Sequence, residues 1–171
     1  MSSLENIADA KVQASVTRRL DILTPAIVSI KQEMNGRGLL VPPTSMTATK
    51  ICDACISLFD EICNDMKVEY GMVLDNAIWP NETLCELLIS KARCHFDTVT
   101  GRALAEIRSS TQSPMFRDIQ EQLCNDASKA RDRTLTDLSL FIDGHSKIQM
   151  RKKTIRAIAY LPKFILSLIK K

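Results

Sequence analysis

Between Cys52 and Val73 the apolar residues return every three or four positions: Cys52, Cys55, Ile56, Phe59, Ile62, Cys63, Met66, Tyr70 and Val73. At 3.6 residues per turn this series falls on one face of a helix, whereas a strand would scatter it over both faces. The pattern recurs three more times. Val16, Leu20, Leu23, Ile27, Ile30 and Met34 form an earlier stripe, interrupted at Thr24-Pro25, where a kink or a two-part helix is expected. Cys85, Leu88, Ala92, Phe96, Val99, Ala103 and Ile107 form a third, and Phe116, Ile119, Leu123, Ala127, Ala130, Leu138 and Phe141 a fourth. Each stripe must be buried against another, so the pattern predicts an all-α fold, an antiparallel four-helix bundle of long helices.

The punctuation agrees with this reading. Asn35-Gly36 reads as the stop of the first helix, and Thr44 or Ser45 as the cap of the second. Thr83 with Glu86 makes a capping box for the third. Ser113-Pro114 opens the fourth, and Asp143-Gly144 is expected to end it. The one long connection is GRGLLVPPTS at 36–45, whose Leu39, Leu40 and Val41 are expected to lie against the core. Glycine is scarce, 5 in 171 residues, where average usage of ~7% would give about 12. Few tight turns favour long helices.

Charge divides the chain in two. All 20 acidic residues lie in 1–143 with 15 of the 23 basic ones, a net of −5, while the eight basic residues of 144–171 stand without an acid, a net of +8. The expected organisation is an acidic bundle at 1–143 and a fifth, basic amphipathic helix at 144–171, packed on the bundle or released from it. Within RKKTIRAIAYLPKFILSLIKK, residues 151–171, the basic residues are Arg151, Lys152, Lys153, Arg156, Lys163, Lys170 and Lys171. Ile155, Ile158, Leu161, Ile165 and Leu168 line an apolar sector wider than half the helical wheel, where a bundle-packed helix needs only about 100°. Pro162 is expected to kink or split this helix.

Such a helix fits the interface of an anionic membrane, or a protein partner. Its apolar stretch of roughly 22 Å, interrupted by Lys163, is too short to span a bilayer. The leading expectation is therefore a non-enzymatic interaction or scaffold module docking through its C-terminal helix. One alternative is an RNA-binding protein using the tail with Lys129, Arg131 and Arg133, although aromatics at 5% offer few stacking platforms. Another is a structural terminal helix on a self-associating bundle.

Cys52-Asp53-Ala54-Cys55 is a CxxC with Cys63 further along, but all three cysteines lie on the apolar stripe, where cysteine packs as a small hydrophobe. A metal site would need Cys94 and His95 to converge on them from the third helix. Cys94, beside Lys91 and His95 and off its helix's stripe, is a candidate reactive thiol. The chain has two histidines and no G-x-S-x-G, phosphate loop or H-E-x-x-H. Asp60-Glu61 point apart on a helix, and Glu82 and Glu86 belong to a helix start. No catalytic residue, resident metal, cofactor or small-molecule substrate is expected. MSSLENIADAK lacks the basic and apolar regions of a secretion signal, so a cytoplasmic location, peripheral at a membrane, is expected. By the same reasoning the six cysteines should be thiols and the Asn81-Glu82-Thr83 sequon unmodified.

Overall fold

The computed structural model describes residues 3–37, 45–111 and 117–169, the side chains of 3, 45 and 158–169 excepted. These residues form four helices and no strand: α1 (Ser3–Gly36), α2 (Ser45–Asn76), α3 (Glu82–Ser110) and α4 (Arg117–Ile169). The all-helical bundle is therefore present. Leu39, Leu40, Val41, Ser113, Pro114, Phe116, Lys170 and Lys171 lie outside the described residues, as do the side chains of Ile158, Leu161, Lys163, Ile165 and Leu168.

The stripes face inward. Phe59, Met66 and Tyr70 of α2, Leu88, Phe96 and Ile107 of α3, and Leu138 of α4 are fully buried. On α1 the stripe begins earlier than expected, with Ala8 and Val12 buried at the four-residue spacing that leads to Val16. On α4 the buried series runs through Thr134 and on to Ile142 and Ser146.

Three local expectations are corrected. The N-cap of α3 is Asn81, whose side chain accepts from the Leu84 amide at 2.9 Å, so Thr83 and Glu86 lie inside the first turns and make no capping box. Of the two forms expected at Thr24-Pro25 the two-part helix is excluded, because Pro25 sits within an unbroken α1. Its missing N–H falls on the exposed side of the helix, where water can serve the carbonyl left over. Asp143-Gly144 does not end α4, which runs on as helix to Ile169. Two contacts bridge the glycine. Lys147 Nζ lies 2.6 Å from Asp143 Oδ2, and the rings of Phe141 and His145 meet at 5.3 Å between centroids.

Direction follows from cross-helix pairs. Lys11 pairs with Glu69 and Lys50 with Glu33, so α1 and α2 are antiparallel. Arg131 pairs with Asp97, while Gln120 donates to the Arg108 carbonyl, so α3 and α4 are antiparallel too. The connectivity is thus up-down-up-down, but the helices do not form a square. α2 packs against all three others and most extensively against α4, while α1 and α4 scarcely meet. The α2–α4 seam is parallel. Cys52 Sγ donates to the Leu123 carbonyl at 3.6 Å, and Cys63 Sγ to the Thr134 carbonyl at 3.7 Å. A thiol reaches another helix's main chain only where the two backbones lie close, which small residues permit. Gly71 serves the same end, since a Cβ there would sit 3.6 Å from the Phe141 ring.

Candidate functional site

The last turn of α2 contains no basic residue, yet a helix C-terminus leaves carbonyls unpaired and carries partial negative charge. α4 supplies what α2 lacks. His145, Gln149 and Lys153 recur every four residues and therefore share one face of α4. His145 Nε2 lies 2.7 Å from Asp75 Oδ1, and Gln149 donates to the same carboxylate. Lys153 Nζ donates to the Asp75 carbonyl at 3.3 Å and to the Ala77 carbonyl. Next to His145 on α4, buried Ser146 donates to the Pro80 carbonyl at 3.4 Å. Residues 75–80 are thereby strapped along α4 between 145 and 153.

This strapping exposes two groups of residues together. In the α2–α3 turn Ile78 is 85% exposed and Trp79 50% exposed. On α4, Arg151, Lys152, Thr154, Arg156 and Ala157 face solvent, as does Ile155 at 67% exposure. Lys153, an expected anion-binding residue, instead caps α2, and Lys147 pairs with Asp143. Arg151, Lys152 and Arg156 make no ion pair among the described residues. The side chains of Ile158, Leu161, Lys163, Ile165 and Leu168 fall outside the described residues, so their expected apolar sector has no observed contacts.

The other candidates have structural surroundings. In the helix-four basic cluster, Arg131 is paired with Asp97 and Asp132, while Lys129 and Arg133 are exposed. Cys52, Cys55 and Cys63 are buried thiols, and burial pushes them up to about 11, about 12 and about 11 respectively. Among the described residues no group of three His, Cys, Asp or Glu side chains is placed to hold a metal ion. Cys94 is exposed, but the polar atoms of its neighbours are engaged by α1. Lys91 Nζ lies 2.6 Å and His95 Nε2 3.0 Å from the two oxygens of Asp9. Burial opposes ionisation of Asp9, but hydrogen bonds and charge from Lys91 and His95 outweigh it and hold the carboxyl below its ordinary range. A cleft of about 390 Å³ between α1 and α2 is lined by Lys11, Ser15, Asp65 and Glu69, but these pair with one another or with Arg19.

Sequence reasoning missed the 75–80 strap because it ended helix four at Gly144. The four-residue spacing of His145, Gln149 and Lys153 was its available signal. No helix among the described residues is long and apolar enough to cross a membrane. Comparison with protein-family models, curated proteins and solved structures finds no match to this chain.

Proposed function

We propose that this chain is a non-enzymatic helical module that docks on an anionic membrane surface through the end of the bundle where α4 runs past α2. One observation carries the reading. Arg151, Lys152 and Arg156 are exposed beside Ile155, in a stretch without acid, on a helix whose position is fixed at Lys153. Each basic residue near an anionic leaflet contributes about 1 kcal/mol, and an apolar face inserted at the headgroup boundary adds to it. The 158–171 sequence continues the same composition, with Lys163, Lys170 and Lys171 among isoleucines and leucines.

Engagement of Arg131 by two aspartates leaves the RNA reading with only Lys129 and Arg133 exposed in that cluster. A self-association reading draws on Ile7, Ile22 and Val28, which are exposed along α1.

Co-sedimentation with vesicles tests the proposal. The full chain is expected to pellet with phosphatidylserine-containing vesicles and to stay in solution with phosphatidylcholine alone. Truncation after Ala157 should weaken binding without unfolding the bundle, because the strap to α2 ends at Lys153. Truncation at Gly144 would remove that strap and confound the result. The pair Lys152→Glu and Arg156→Glu should lower partitioning by at least about tenfold. Equal binding to neutral and anionic vesicles, or none to either, rejects the proposal.

A further inference from the structure

The surface strapped beside the basic helix is the turn that carries Trp79, the single tryptophan of the chain. Trp79 and Ile78 are adjacent, half or more exposed, and held between two fixed points. Lys153 binds the Ala77 carbonyl on one side, and Ser146 binds the Pro80 carbonyl on the other. An indole, a flat apolar body with one N–H donor, suits the boundary between headgroups and acyl chains. A large apolar pair on a rigid, exposed turn has no role in the bundle core. The turn that carries it is tied at Ala77 to Lys153, within the segment of α4 that holds Arg151, Lys152, Ile155 and Arg156. The acids nearest the turn in sequence, Asp75 and Glu82, have roles in the fold. Asp75 is bound by His145 and Gln149, and Glu82 stands in the first turn of α3, whose dipole it complements.

We infer that the Ile78-Trp79 turn is a second insertion point for an anionic bilayer, entering the headgroup boundary while Arg151, Lys152 and Arg156 engage lipid phosphates and carboxylates. This inference rests on the membrane reading and deepens it from one helix to a two-element surface. Charge selects the occupant: Arg151, Lys152 and Arg156, which make no ion pair among the described residues, neighbour the Lys153 that ties down this turn, and this favours an anionic bilayer over a neutral one or a basic partner.

The lone fluorophore makes the test direct. Full-length chain is titrated with phosphatidylserine–phosphatidylcholine vesicles while Trp79 emission and its quenching by iodide are followed, with co-sedimentation in parallel. The expected result is a shift to shorter wavelength and loss of quenching that saturate with the pelleted fraction. Ile78→Asp, which keeps the fluorophore, should weaken binding roughly tenfold, and Trp79→Ala should do the same in sedimentation. Both sites are exposed, so an unchanged circular dichroism spectrum and melting midpoint are expected. A chain that pellets with vesicles while Trp79 stays fully quenchable overturns the two-element surface but leaves the helix reading standing. A chain that does not pellet overturns both, and a Trp79 shift produced by RNA but not by vesicles reassigns the surface to nucleic acid.

Discussion

Tyr70 is the largest of the fully buried side chains, and its hydroxyl has no hydrogen-bond partner among the described residues. A buried hydroxyl without a partner loses its hydration and gains nothing in return. Tyr70→Phe is therefore expected to leave the unfolding free energy unchanged or raise it by up to about 1 kcal/mol, measured by urea denaturation. A loss larger than that would mean the hydroxyl is satisfied. The carboxylates of the α1 interfaces act in the opposite sense. Asp65 is held below its ordinary range first by its hydrogen bond to Arg19, against the effect of burial, and Asp9 by Lys91 and His95. A depressed folded-state pKa contributes stability above the unfolded value, near 4, that is lost as pH falls through the lowered folded value. Acid unfolding followed by circular dichroism should thus steepen below about pH 4, and Asp65→Asn should flatten that slope. At this scale the sequence was legible where burial decides. The three stripe cysteines are buried as the pattern predicted, whereas the pairing of Asp9 with Lys91 and His95 spans more than 80 positions and left no local trace.

Element boundaries depend on more than their own residues. Asp143-Gly144 carries the local signature of a stop, but the neighbouring ion pair and ring contact, with burial of Ser146 beyond them, favour continued helix. A Cβ added at Gly144 would meet nothing within 4 Å. Gly144→Ala should therefore gain about 1 kcal/mol in helix propensity and raise the melting midpoint by about 2–4 °C in calorimetry. Were Gly144 a left-handed helix terminus, alanine would lower the midpoint instead. Asn81 shows the converse case. The local pattern points to Thr83 as the cap, but the chain caps two residues earlier at Asn81, directly after the Pro80 carbonyl that Ser146 of α4 binds.

At the scale of the molecule, the four bundle helices and their inward faces could be read from periodicity, while the arrangement of the helices could not. Periodicity says which face is buried but not against which partner, and α2 takes α4 as its main partner where thiols, alanines and Gly71 let the backbones approach. That parallel seam sets an order of events when the chain folds. The α1–α2 and α3–α4 hairpins join sequence neighbours, but both thiol contacts of the seam bring together residues 71 positions apart. Closing a loop of that length costs entropy before any contact compensates, so the seam should be absent from the rate-limiting ensemble. Stopped-flow chevrons would then show Cys63→Ala and Leu138→Ala speeding unfolding with little effect on refolding, while Leu23→Ala on α1 slows refolding. Slow refolding in the seam variants would instead make it the nucleus. On the expected order, the contact that fixes the shape of the bundle governs how long the native state lasts rather than how quickly it forms.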